Sequence, residues 1–254
     1  MKNIPNYFTL LNLVFGCLAI VFTLQSGIMI TVNSEGTELL YIPERIWLAS
    51  LFIGIAAVVD FLDGFVARLF KAQSEMGKQL DSLADVVSFG VAPGMIIYQF
   101  LRLAYARETG AVDSGFIWLL PAFLVPCAAA WRLARFNIDT EQTYHFKGMP
   151  VPAAGIFIAS LPLIYWNINE PWVYDLLHNR WVLYAIILLI SWLMVSRLPL
   201  MSFKFSDYSL ANNWPRYLLV VLAIVSFFVI SWLAIPLTIL LYVILSLLFK
   251  NKLA

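Results

Sequence analysis

Charge is scarce in this sequence: Asp, Glu, Lys and Arg make up 12% of its 254 residues, about half the share of an ordinary soluble domain. Cysteine and histidine are scarcer still, with two of each, and no basic run or low-complexity tail interrupts the chain. Each shortage excludes something. Cys17 and Cys127 lie inside apolar runs, offer neither a disulfide framework nor a metal knuckle, and read as small core hydrophobes. A net charge of +1 without a basic tract argues against nucleic acid as a partner. What remains is 62% hydrophobic and 15% aromatic, with a mean hydropathy of +0.85. Disorder is thereby excluded, and so is a cytosolic globular protein, whose single core could not hide that much apolar surface. The composition is that of an integral membrane protein.

A helix needs about 20 apolar residues to cross the hydrocarbon layer. Runs at 7–28, 46–69, 82–104, 115–135, 151–168, 180–197, 215–232 and 234–249 predict an all-α, polytopic fold of about eight transmembrane helices in one domain, 1–254. The last two runs flank Ile235-Pro236 and read as a tight hairpin, since 35 residues exceed one span. The first run lacks a small-residue cleavage site and reads as a retained helix. The loops at 29–45 and 105–114 read as plain connectors. Eight spans put both termini on one face. That face carries Lys2, Arg68, Lys71, Lys78, Arg132, Arg135, Lys147, Arg197, Lys204, Arg216, Lys250 and Lys252, and the other only Arg45, Arg102, Arg107 and Arg180. The bias predicts cytoplasmic termini, as for a protein of a bacterial inner membrane.

Against this background residues 58–90 stand out. Asp60, Asp63, Gly64, Ala67 and Arg68 recur at i, i+3, i+4, i+7 and i+8, one face of a helix. Gly77, Asp81, Asp85 and Ser88 recur at i, i+4, i+8 and i+11, again one face. A short connection makes the two helices antiparallel neighbours, so four carboxylates converge near the cytoplasmic boundary. Unpaired in lipid they would cost on the order of 10 kcal/mol, more than Arg68 alone can offset. Two divalent cations would balance them, and an all-oxygen set suits Mg2+, Mn2+ or Ca2+. Paired metals serve phosphoryl transfer, and a lipid headgroup phosphate lies at that depth. The small residues Gly64, Ala67, Gly77 and Ala84 keep the same faces open.

The pattern Asp60-x2-Asp63-Gly64-x2-Ala67-Arg68-x8-Gly77-x3-Asp81-x3-Asp85 resembles, without departure, the signature of the CDP-alcohol phosphotransferase family. The resemblance implies that Asp60, Asp63, Asp81 and Asp85 bind two divalent cations, Mg2+ or Mn2+, and that Asp85 is also the catalytic base. It implies that Gly64, Ala67, Arg68, Ser74 and Gly77 contact CDP-diacylglycerol, with Arg68 at the diphosphate. Segments 4–16, 81–93, 132–137 and 146–155 are similar to the phosphatidylserine synthase branch, which implies L-serine as acceptor, phosphatidylserine and CMP as products, and a homodimer. Residues 156–254 carry hydropathy only.

Other polar residues admit two readings. Arg132, Arg135 and Lys147 are either snorkelling anchors or partners of serine's carboxylate and the donor's phosphates, with Ser88 and Asn137 as further polar contacts. Pro5, Asn6, Thr9 and Asn12 either cap and tie the first helix or, as the resemblance implies, surround the cytidine. His145 reads as incidental. Two rivals stay open: a sibling enzyme accepting glycerol 3-phosphate or an inositol phosphate, and a cation or proton transporter lined by the aspartates.

Overall fold

The structure, a computed structural model, describes residues 4–32, 38–69, 74–109, 115–138, 146–201 and 210–249. Its helices are α1 (Ile4–Gln25), α2 (Trp47–Leu69), α3 (Glu75–Asp85), α4 (Ala92–Thr109), α5 (Leu124–Ile138), α6 (Val151–Asn167), α7 (Pro171–His178), α8 (Arg180–Val195), α9 (Leu210–Ile230) and α10 (Ala234–Leu248). α3 runs into α4 through a π-helical stretch, Val86–Val91. The third helical segment therefore reaches from Glu75 to Arg107, beyond the 82–104 of the apolar run. Apolarity marks only the part inside lipid, whereas the polar α3 is held at its start by Ser74, whose hydroxyl accepts from the Gly77 N–H at 3.0 Å.

α4 forms the axis of the bundle: Ile96, Ile97, Phe100, Leu101 and Leu103 are fully buried. Gln99, buried among them, donates to the Thr23 carbonyl at 3.1 Å and accepts from Arg102 at 3.0 Å, so its amide is satisfied in a place where an unpaired one would be costly. α1 lies against α2, with Phe15 and Phe22 stacked on Phe52 at 6.1 and 5.3 Å. The π stretch is gripped from two sides by glycines. A methyl added to Gly16 of α1 would lie 2.8 Å from the Ser88 Cα, and one added to Gly155 of α6 would lie 3.0 Å from the Phe89 Cα. Only residues without a Cβ allow helices this close.

The span count is a correction. Among the described residues five stretches are long and apolar enough to cross a membrane, or six if the bent pair α7–α8 is one span, where the apolar runs predict eight. α6 has only 17 residues, α7 and α8 meet at 71°, and Asn213–Leu248 counts as a single apolar stretch. Within that stretch the expected fold-back is present: Ser231 breaks the helix at φ 51°, and Trp214 near the start of α9 meets Phe249 beyond α10 at 4.7 Å. Two further corrections concern the connectors. The loop at 29–45 holds a β-ribbon, β1 (Met29–Val32) against β2 (Glu38–Tyr41). A second ribbon pairs β3 (Phe146–Lys147) with β4 (Pro199–Leu200). Cys17 and Cys127 are exposed, because they fall on the outward faces of α1 and α5 rather than in the core.

Candidate active site

Asp60, Asp81 and Asp85 come together as the spacing predicts. One carboxylate oxygen from each lies within 4.8 Å of the others. Asp60 and Asp81 are half-buried, Asp85 buried. Carboxylates this close share a proton or a cation. Oxygen donors alone, with no His or Cys among the clustered side chains, fit a hard divalent ion. A second observation agrees: the Asn12 side-chain oxygen, on an amide bonded to Asp85, is buried without a hydrogen-bond partner.

Asp63 stands beside this trio without joining it. It is buried, and its carboxylate accepts a short hydrogen bond from the Thr9 hydroxyl. Its charge nonetheless acts on Asp60 and Asp81. The helix that supplies Thr9 also supplies Asn12, whose Nδ2 donates to Asp85 at 3.2 Å. α1 is therefore a clamp on two of the acids. Neither contact is visible locally in sequence, since they join residues 54 and 73 positions apart.

The residues expected on the donor side fall at the end of α2 and the start of α3. Arg68 is exposed at the end of α2, and a Cβ on Gly64 would find only the Arg68 guanidinium, 4.0 Å away. Ala67 is half-buried on the same face. A Cβ on Gly77 would meet the Ser74 hydroxyl at 3.1 Å and the Asn6 side-chain oxygen at 3.2 Å, so Asn6, Ser74 and Gly77 are neighbours. Asn6 lies in the first turn of α1, not at its cap, and Pro5 is buried there.

Of the expected acceptor-side residues, Arg132 reaches the site. It is buried, its charge acts on Asp85, and its Nε has no hydrogen-bond partner. The others are engaged elsewhere. Ser88 donates to the Asn12 carbonyl at 3.0 Å. Asn137 donates to the Ser82 hydroxyl at 2.8 Å and accepts from Lys78 at 2.9 Å. Arg135 donates to the Val195 carbonyl at 2.8 Å. These three fasten α1, α3, α5 and α8 together. The Lys147 side chain, Lys71 and His145 lie outside the described residues.

An all-α bundle with an acidic, cation-fitting cluster at one end and an open, arginine-flanked approach defines an integral membrane protein built to handle a phosphate-bearing ligand at the lipid boundary. The chain belongs to the CDP-alcohol phosphatidyltransferase family, whose pattern matches residues 2–196. Its relatives include proteins named CDP-diacylglycerol–serine O-phosphatidyltransferase. That of Bacillus subtilis is 35% identical over 165 residues, covering 65% of this chain and 78% of the relative. That of Mycobacterium tuberculosis H37Rv is 31% identical over 231 residues, covering 88% and 69%. With the Mycobacterium leprae protein, identity is 35% over 159 residues, covering 60% of this chain and 48% of that longer relative.

Proposed function

We propose that the protein transfers the phosphatidyl group of CDP-diacylglycerol to L-serine, giving phosphatidylserine and CMP. The convergence of Asp60, Asp81 and Asp85 from two helices, in a chain whose relatives carry that activity in their names, carries the reading. Asp85 takes the proton from the serine hydroxyl. The serine oxygen forms a bond to the phosphorus bearing diacylglycerol, and the bond from that phosphorus to the CMP oxygen breaks. Arg68 holds the diphosphate, and Gly64, Ala67, Ser74 and Gly77 leave room for the nucleotide, with Pro5 and Asn6 at its far side. Thr9 and Asn12 orient Asp63 and Asp85, and Arg132 pairs with the acceptor's carboxylate. Asp60, Asp81 and Asp85, with Asp63, would hold two divalent cations, Mg2+ or Mn2+, which when bound would supply charge neutralisation at the diphosphate and the departing phosphate.

The aspartate end of the bundle carries Arg68, Lys78, Arg132 and Arg135, whereas Arg45, Arg102, Arg107 and Arg180 lie at the other end. This bias supports a cytoplasmic site in a bacterial inner membrane. Family likeness supports a homodimer.

Purified protein in detergent, given CDP-diacylglycerol and Mn2+ or Mg2+, is expected to release CMP only when L-serine is present, with phosphatidylserine formed in equal amount. Release with glycerol 3-phosphate or an inositol phosphate but not serine would move the protein to a sibling activity. Ion flux in liposomes without turnover of the donor would replace the enzyme reading altogether. Chelation by EDTA is expected to abolish release, and the rate against restored Mn2+ to rise with a Hill slope above one; a slope of one would reduce the pair of ions to a single ion. Arg68→Ala is expected to raise KM for CDP-diacylglycerol about tenfold, as fits the loss of a charge-assisted hydrogen bond, with kcat within about threefold. An unchanged KM would remove Arg68 from the donor site.

A further inference from the structure

At the opposite end of the bundle, α2, α6 and the turn between α9 and α10 enclose a laterally open cavity of about 570 Å3. Its mouth is formed by Glu44, Trp47, Trp166 and Trp232. Below the mouth, Leu51, Ile55 and Val58 continue the lining along one stripe of α2. From Trp47 to Val58 the stripe descends roughly 16 Å, about one leaflet of a hydrocarbon core some 30 Å thick. Asp60 and Asp63 project from the other side of α2, so this groove is separate from the acidic site.

Two features set it apart from an ordinary lipid-facing crevice. Ser50 lines it, is 4% exposed, and its hydroxyl has no partner; the indole N–H of Trp166 is likewise buried and unpaired. Buried donors left unpaired are costly, and both belong to residues that line the groove. At the mouth, one exposed carboxylate stands among three indole rings, the combination that attracts an ammonium group through charge and ring quadrupole.

We propose that this groove binds a phospholipid with an ammonium headgroup from the leaflet opposite the aspartates. The ammonium sits at Glu44 among the tryptophans, phosphate or ester oxygens accept from Trp166 and Ser50, and one acyl chain follows Leu51 to Val58. A phospholipid is the occupant that meets all three requirements at once: a cation at the boundary, acceptors just below it, and a chain one leaflet long.

The test is native mass spectrometry of the delipidated full-length protein, titrated with phosphatidylethanolamine or phosphatidylglycerol of identical chains. One molecule of phosphatidylethanolamine is expected to bind about tenfold more tightly than phosphatidylglycerol, and Glu44→Gln to erase that preference. Trp166→Phe, which keeps a ring and removes the N–H, is expected to weaken both lipids about threefold. Equal binding of the two lipids by the wild-type protein, or a preference surviving Glu44→Gln, would overturn the proposal. So would failure to retain either lipid, as expected if a second copy of the chain fills the groove. Glu44 lies far from the aspartates, so serine-dependent CMP release by Glu44→Gln is expected to be unchanged, which certifies the fold of the variant.

Discussion

Asp85→Asn is expected to lower serine-dependent CMP release by about a thousandfold, the scale of a lost general base, while CDP-diacylglycerol still binds within about threefold. The substitution is close to isosteric, and the side chain keeps an oxygen for Asn12, which donates to it at 3.2 Å. What it loses is the capacity to take up a proton and one unit of charge facing Arg132. Because Asp85 also belongs to the cation-fitting trio, the loss has to be separated from weaker metal binding. Asp81→Asn provides the comparison. Its rate is expected to recover substantially as Mn2+ is raised, since its role is to hold charge, whereas Asp85→Asn is expected to stay slow at saturating Mn2+. Single-turnover CMP release and equilibrium binding of the donor, measured on both variants across a Mn2+ titration, check this. A near-normal rate for Asp85→Asn at high Mn2+ would assign the proton to another group.

Why the acidic trio was legible in the sequence, whereas Thr9 and Asn12 were read as ties between helices without their partners, follows from the range of the signals. Asp60, Asp81 and Asp85 announce themselves because carboxylates in an apolar segment are rare and expensive, and because helical spacing is a local property. Thr9 and Asn12 are ordinary in the first turns of a helix, and their partners are 54 and 73 residues away. Nothing in a periodic pattern encodes that pairing. Ser88 and Asn137 show the same limit from the other side. Their polarity and place suggested substrate contacts, and in the structure the Ser88 hydroxyl donates to the Asn12 carbonyl, the Asn137 side-chain amide donates to the Ser82 hydroxyl, and the Asn137 backbone carbonyl accepts from Lys78. A polar side chain looks the same in sequence whether it serves a ligand or a neighbouring helix. The span count failed for a related reason: hydropathy measures the composition of a stretch, not its path. It counts α6, with 17 residues, and α8, with 16, as full spans, whereas the hairpin read at Ile235-Pro236 is present, with the Trp214 and Phe249 rings 4.7 Å apart at its open end. The π stretch at Val86–Val91 was not legible at all. Its extra residue per turn depends on what Gly16 and Gly155 allow to come near, which is a tertiary property.

That dependence yields the second large effect: Gly16→Ala is expected to lose activity and stability together. The added methyl would lie 2.8 Å from the Ser88 Cα and 3.0 Å from its Cβ, closer than two carbons pack without one giving way. The obstruction is partly backbone, so rotating the Ser88 side chain cannot relieve it. α1 and the π stretch must part. Parting them loosens the Ser88 hydrogen bond to the Asn12 carbonyl at 3.0 Å, and with it the Asn12 hydrogen bond to Asp85 at 3.2 Å. Overpacking of this kind costs about 1–3 kcal/mol, which corresponds to a Tm lower by several degrees in a chain of this size. The accompanying fall in kcat is expected to be about tenfold or more, because reacting groups misplaced by an ångström lose rate steeply. Gly54→Ala is the contrasting case, since nothing lies within 4 Å of its added methyl and alanine is the better helix former. It is expected to hold or raise Tm and to leave kcat unchanged. Thermal unfolding and CMP release on the two variants side by side separate the close approach at Gly16 from any general effect of replacing a helical glycine. Equal behaviour of the two would mean that the contact between α1 and the π stretch does not position Asp85.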